Sequence, residues 1–235
     1  SESISSITND FRVKGIFAHK IFEDYFTEYN TPDLMKGSDL MGWYESNFNR
    51  YVEQYAILWK HEGQETTLIS MKEQVGVALE ALSNHLVEDN WTVLGMEHKL
   101  KDKIYGTGFT GYIDMALERG SEKCAVDLKY GGSKKYNGYL QENRDLQLSL
   151  YSKFYGEGSF AYTAYFIIAE ALMFTKDPRA FTNARDTVQG DMNALYGELW
   201  GKMDNTFSAR MGELKDGEIL VRDLKTEGLT TEDTV

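Results

Sequence analysis

Apolar residues recur at helical spacing along several stretches of this chain. In the first stretch Phe17, Ile21 and Tyr25 are four residues apart, with polar residues between them. Such positions lie on one side of an α-helix and pack together against a core. The same spacing predicts helices over residues 14–29, 43–59, 67–90, 139–155 and 188–211.

Runs rich in β-branched and aromatic residues predict strands over residues 91–100, 109–117, 123–128 and 161–174, the last kinked near Glu170. Arg119, Gly120 and Ser121 join the second run to the third, and a short glycine-containing loop is typical of a β-hairpin. We interpret residues 31–42, 131–139 and 175–185 as loops and 214–220 as a short strand or turn. We expect residues 1–11 to be a leader and the polar residues 224–235 to be disordered.

These elements together predict an α/β fold. We expect a small mixed β-sheet of about four strands, flanked by helices on both faces, with an N-terminal helical part. The chain of 235 residues is long enough for one large domain, and its apolar and charged fractions are ordinary for a globular protein. We therefore interpret residues 1–235 as a single domain with a helical insertion at about 43–90.

Two aspartates and a lysine lie on the second and third predicted strands. Strand alternation places Asp127 and Lys129 on one face, and Asp114 meets Asp127 at the open end of the hairpin. Neighbouring carboxylates repel and favour a cation, and their oxygens are ligands that Mg²⁺ and Mn²⁺ prefer. A lysine beside them can hold a water or neutralise charge on phosphorus. The alternative is that all three are solvated residues at strand ends, because an Asp-x-Lys tripeptide is common by chance.

Further motifs appear in a fixed order around these residues. They are Gly15 with His19 on the first helix, Glu97 on the first strand, the Gly-Tyr-Ile-Asp run ending at Asp114, Asp127-Leu128-Lys129, and Gln147 with Tyr151 one helical turn apart. In this order they resemble the PD-(D/E)XK nuclease superfamily, and more narrowly its RecB/AddB-type nuclease domains. The resemblance covers roughly residues 14–154 by motif.

The resemblance implies a restriction-endonuclease-like core and a metal-dependent DNA nuclease, as the exonuclease-type module of a repair or recombination helicase–nuclease system. His19, Asp114, Asp127 and the backbone carbonyl of Leu128 would hold Mg²⁺ or Mn²⁺, and Glu97 would contact the metal through water. Catalytic roles would fall to Asp114, Asp127 and Lys129, with Gln147 and Tyr151 placing the DNA strand. Otherwise His19 is a core or surface histidine, Glu97 a solvated strand residue, and Gln147 and Tyr151 a pair on a helix surface.

The net charge of −12 argues against an extended DNA-binding surface. Basic residues still gather near the proposed site, and we expect Lys134, Lys135 and Arg144 to contact DNA. The negative net charge indicates that a partner, such as a helicase domain or subunit, supplies most of the affinity for DNA. A module of this fold that binds DNA or a helicase without cutting, and an acidic interaction domain with chance motifs, are the competing interpretations.

The single cysteine, Cys124, excludes an internal disulfide and a four-cysteine iron–sulfur cluster within this chain. Its longest apolar run, at residues 162–174, is short and contains Glu170, so we expect no membrane association. The N-terminal residues lack the charged-then-apolar pattern of a signal peptide. We therefore expect a cytoplasmic location.

Overall fold

The computed structural model describes residues 11–185 and 190–215, with side chains through residue 212. The predictions for residues 1–10 and for the tail at 224–235 lie outside the described residues. Contacts divide the chain into two units, Ser1–Leu199 and Trp200–Val235.

The first unit begins with helices whose apolar sides face a common core. They are α1 (Phe11–Glu28), α2 (Pro32–Gly37), α3 (Leu40–Tyr55), a 3₁₀ turn (Ile57–Lys60) and α4 (Glu65–Glu88). The predicted loop over residues 31–42 is wrong, because two capping signals start helices within it. The Thr31 hydroxyl accepts a hydrogen bond from the Leu34 amide, and the Asp39 carboxylate accepts one from the Gly42 amide at 3.0 Å.

Five strands form one mixed sheet in the order β1-β2-β3-β4-β5. They are β1 (Thr92–Ile104), β2 (Thr107–Arg119), β3 (Glu122–Lys129), β4 (Tyr162–Ile167) and β5 (Leu172–Thr175). Only the β3–β4 pair is parallel. The predicted strand over residues 161–174 is instead two strands, because a 3₁₀ turn and Ala171 at φ 50° reverse the chain. The predicted α/β architecture with a mixed sheet and flanking helices is confirmed.

Two helices, α5 (Ser133–Gln141) and α6 (Leu146–Tyr155), connect β3 to β4. The loop predicted for residues 131–139 and the single helix predicted for 139–155 are therefore wrong. Asn143, at φ 51°, separates the two helices in a left-handed conformation that asparagine tolerates. The last helix, α7 (Met192–Lys215), includes Leu214 and Lys215, and the rest of the stretch predicted at 214–220 is outside the described residues. The described residues of the second unit, 200–215, are helical.

Each face of the sheet has its own apolar core. Val126 and Phe166 project to one side and pack with buried residues of α1, α3 and α4. Ala125 and Tyr165 project to the other side and pack with Leu148 of α6. Because β3 is covered on both faces, the side chains at its end are held on a rigid support. None of the described helices combines the length and apolar character that crossing a bilayer requires.

Candidate metal and catalytic site

Asp114 and Asp127 occupy the open end of the β2–β3 hairpin. The last ladder pair there is Met115 with Val126, and the two aspartates are the next residues along each strand. Asp114 Oδ2 accepts a hydrogen bond of 2.7 Å from the Leu128 amide. The Asp127 side chain is 1% exposed, and its Oδ1 accepts no hydrogen bond from the described residues. A buried carboxylate oxygen without a donor is costly, and a bound cation would satisfy it.

The electrostatics of this pair favour a cation. Burial raises the pKa of Asp114 to about 6, although the Leu128 amide and Lys129 act in the opposite direction. Burial raises the pKa of Asp127 to about 7, and the charge of Asp114 adds to the rise. Ionising both buried carboxyl groups therefore costs free energy, and a divalent ion between them would offset this cost.

Lys129 lies beside Asp127 on the same strand face. Its Nζ is 2.7 Å from Asp127 Oδ2 and donates a long hydrogen bond of 3.5 Å to Gln147 Oε1. Burial lowers the pKa of Lys129, but the charge and hydrogen bond of Asp127, together with Tyr136 and Asp114, raise it by more, and the net shift is upward. Gln147 Nε2 in turn donates to the Tyr151 hydroxyl at 2.9 Å. The four predicted residues thus form one chain of polar contacts from β3 to α6.

His19 reaches the same strand end from α1. Its Nε2 lies 3.0 Å from the carbonyl oxygen of Leu128, a distance at which the ring nitrogen donates to the carbonyl. Burial lowers the pKa of His19, which favours the neutral ring that binds metals. Neighbouring ligands of an octahedral Mg²⁺, each about 2.1 Å from the ion, are about 3.0 Å apart. A shared ion would replace this hydrogen bond, with the His19 proton on Nδ1 so that the Nε2 lone pair is available to the ion.

Glu97 lies closer to the predicted ligands than the sequence indicates. One ligand atom from each of His19, Glu97 and Asp114 lies within 4.8 Å of the others. Glu97 has φ 47°, and the β1–β2 ladder lacks a pair between Met96–Met115 and His98–Ile113. A positive φ in a residue with a side chain is strained, and such strain is often stored at functional sites. Glu97 is therefore a candidate direct ligand as well as a contact through water.

A model of the PD-(D/E)XK nuclease superfamily matches residues 4–226. The chain belongs to the PD-(D/E)XK nuclease superfamily. The comparisons with curated proteins and with solved structures gave no match. Membership confirms the resemblance at the level of the superfamily, whereas the narrower RecB/AddB likeness stays a prediction.

Nucleases of this superfamily typically use a divalent metal, and the donors of this chain fit one. Carboxylate and carbonyl oxygens suit Mg²⁺ and Mn²⁺, and an imidazole adds preference for Mn²⁺. The unsatisfied Oδ1 of Asp127 points to the same conclusion from the protein alone.

An open cavity of about 610 Å³ gives access to this candidate site. Its lining includes His19, Asp114, Asp127, Lys129 and Gln147. Of the three basic residues predicted to contact DNA, Lys135 lines the cavity, whereas Lys134 and Arg144 do not. Arg144 is instead paired with Glu142 at 2.6 Å. Sequence reasoning missed Arg12 and Tyr136, which also line the cavity, because their elements meet only in the folded chain.

A buried ion pair anchors the start of α6, the helix that carries Gln147. Asp145, directly before α6, pairs with Lys176, directly after β5, and both side chains are 0% exposed. Lys176 Nζ also donates to Asn143 Oδ1 at 2.7 Å. The Tyr196 ring centroid lies 4.4 Å from the same ammonium.

We expect Lys176→Met to lower the free energy of unfolding by about 3–5 kcal/mol, because it leaves Asp145 buried without a counterion. Urea denaturation measures the loss. Arg144→Gln is the matched control, since it removes a neighbouring but exposed ion pair worth about 1 kcal/mol or less. Equal stability of the two variants would show that the buried pair contributes little.

Replacing His19 with Ala is expected to weaken metal binding and to reduce the preference for Mn²⁺ over Mg²⁺ while the fold survives. An imidazole nitrogen is a softer ligand than oxygen and adds affinity for Mn²⁺. Titration calorimetry with both ions measures the change, with His61→Ala, at an exposed position, as control. An unchanged ratio of Mn²⁺ to Mg²⁺ affinity in His19→Ala would exclude the histidine as a ligand.

Proposed function

We propose that this chain is a metal-dependent deoxyribonuclease that hydrolyses phosphodiester bonds at the end of the β2–β3 hairpin. The observation that carries the proposal is Asp127. It is buried, its Oδ1 has no hydrogen-bond donor among the described residues, and it lies beside Asp114 and Lys129. A purely structural aspartate at this depth would have its oxygens satisfied by the protein.

The residues that would hold Mg²⁺ or Mn²⁺ are His19, Asp114, Asp127 and the carbonyl of Leu128, with Glu97 as a further ligand directly or through water. Ligand atoms of His19, Glu97 and Asp114 lie within 4.8 Å of one another, the Leu128 carbonyl lies beside His19, and Asp127 contributes the carboxylate oxygen that has no donor. When bound, such an ion polarises a phosphoryl oxygen and lowers the pKa of a coordinated water. Lys129 holds the attacking water or stabilises charge that develops on the phosphorus centre. Gln147 orients the Lys129 ammonium, and Tyr151 orients Gln147.

The wider setting we propose is an exonuclease-type module of a helicase–nuclease system in DNA repair or recombination, acting in the cytoplasm. The order of motifs, with its likeness to RecB/AddB-type domains, supports this setting. The net charge of −12 is an argument for a partner helicase that supplies much of the affinity for DNA. The chain contains no phosphate-binding Gly-Lys-Ser/Thr loop, so any ATPase would belong to another segment or subunit.

Cleavage of labelled single-stranded and duplex DNA, in Mg²⁺, in Mn²⁺ and in EDTA, tests the proposal. We expect metal-dependent cleavage that EDTA abolishes. DNA binding without cleavage in either metal would overturn the proposal in favour of an inactive nuclease-fold module. Neither binding nor cleavage would favour an acidic interaction domain.

A further inference from the structure

The β1–β2 hairpin extends beyond the rest of the sheet. β3 pairs with β2 only from Met115 to Arg119, whereas the β1–β2 ladder continues to Ile104 and Thr107. One face of this two-stranded arm is covered, because Leu100, Phe109 and Ile113 belong to the core that includes α6. Phe109 stacks on Phe154 of α6 with ring centroids 5.1 Å apart.

The opposite face of the arm carries three lysines. Lys99, Lys101 and Lys103 alternate with the covered residues, so they share the uncovered face, and all three are exposed. We call these three residues the lysine row. Tyr112 is the ladder partner of Lys99 and lies on the same face, with Lys99 Nζ 5.5 Å from the centroid of its ring. The Tyr112 side chain is 47% exposed, which leaves ring surface available for stacking.

The lysine row differs from many basic side chains of this acidic protein. Ten other basic side chains among the described residues form ion pairs, as Lys123 does with Glu157 at 3.0 Å and Arg119 does with Glu122 at 2.8 Å. Among the described residues, no ion pair includes a member of the lysine row. Alternate strand residues are about 6.8 Å apart, so the row forms a line of positive charge about 14 Å long. A polyanion complements such a line.

The lysine row lies close to candidate site residues along both strands of the arm. Tyr112 is two residues from Asp114, and Lys99 is two residues from Glu97. A nucleic acid strand bound along the arm would therefore lie next to the parts of β1 and β2 that carry Glu97 and Asp114.

We propose that the lysine row and Tyr112 bind a single-stranded nucleic acid segment that continues into the site. The lysines contact successive phosphates, and the exposed ring of Tyr112 stacks on an unpaired base, which a duplex does not offer. The location of the scissile phosphate rests on the proposed nuclease function, whereas the binding surface is testable without cleavage.

The test is a salt titration of binding in EDTA, with a labelled single strand and a hairpin duplex of equal length. The triple variant Lys99→Gln, Lys101→Gln, Lys103→Gln is compared with the control triple Lys36→Gln, Lys60→Gln, Lys72→Gln. Each triple removes three positive charges, but the control lysines lie on the N-terminal helical elements. Thermal denaturation confirms that both fold.

For the single strand, losing three phosphate contacts should lower the salt slope by about 2 and weaken binding on the order of a hundredfold at about 50 mM salt. The control triple should bind like the parent. Tyr112→Ala should weaken single-strand binding about tenfold and leave duplex binding unchanged.

Three results would overturn this proposal. They are a row variant that keeps the salt slope of the control triple, a Tyr112→Ala protein with unchanged single-strand binding, and equal losses on duplex and single strand. Cleavage by the parent in Mn²⁺ is measured in parallel. A parent that binds through the row without cutting contradicts the nuclease proposal alone, and one that cuts while the row variant binds normally contradicts the lysine row alone.

Discussion

Asp127→Asn is expected to reduce metal-dependent cleavage on the order of a thousandfold or more. It is also expected to abolish metal binding in titration calorimetry. The substitution keeps the shape of the side chain but removes the negative charge that holds the cation. Glu122→Gln is the matched control, because Glu122 lies at the other end of the same strand, paired with Arg119. Undiminished cleavage by Asp127→Asn would contradict the site assignment.

The same substitution should stabilise the metal-free protein. The pKa of Asp127 is raised to about 7 in the folded state, above its ordinary value of 3.8. The folded state therefore binds more protons, and the ionised carboxylate destabilises it increasingly as pH rises from about 4 to 7. At pH 8 we expect Asp127→Asn to raise the free energy of unfolding by roughly 2–4 kcal/mol. A variant less stable than the parent at pH 8 would show that Asp127 is stabilising rather than held at a cost.

Lys129→Met is expected to reduce the rate of cleavage on the order of a hundredfold. Metal affinity above pH 8 should change far less. Lys129 pairs with Asp127 and contacts Gln147, so its ammonium is positioned for a group in the cavity. Because the positive charge of Lys129 lowers the pKa of Asp127, removing it should move the loss of metal binding to higher pH.

Lys123→Met is the matched control for Lys129→Met. Lys123 is on β3 with Lys129 but pairs with Glu157, and we expect its loss to leave cleavage unchanged. Single-turnover rates at saturating Mn²⁺ separate an effect on chemistry from one on metal occupancy. Normal turnover by Lys129→Met would identify the lysine as a structural partner of Asp127 only.

The hairpin that carries the site could be predicted because its signals are local. Gly120 marks the turn, and strand alternation sets Asp127 and Lys129 on one face, as the structure has them. The break at Asn143 could not be predicted, since the helical pattern of residues 139–155 continues across it. The helix at residues 133–141 was missed because the preceding glycines and its polar composition are typical of a loop.

Features that depend on distant pairing were also beyond sequence reasoning. The missing ladder pair at Glu97 arises only when β1 meets β2, so its strained backbone has no local signature. The lysine row was missed for a related reason. The net charge of the whole chain does not reveal a local group of basic residues. The lysine row lies on an uncovered face only because α6 packs against the opposite face of the arm, and the sequence does not show where α6 packs.

The most direct test of the metal-dependent site is a crystal structure of the protein with Mn²⁺, with the ion located by anomalous scattering. The account predicts a peak about 2.0–2.3 Å from carboxylate oxygens of Asp114 and Asp127, from His19 Nε2 and from the Leu128 carbonyl oxygen. A structure at saturating Mn²⁺ with no peak between the two aspartates, or with the His19 ring turned away from the ion, would contradict it.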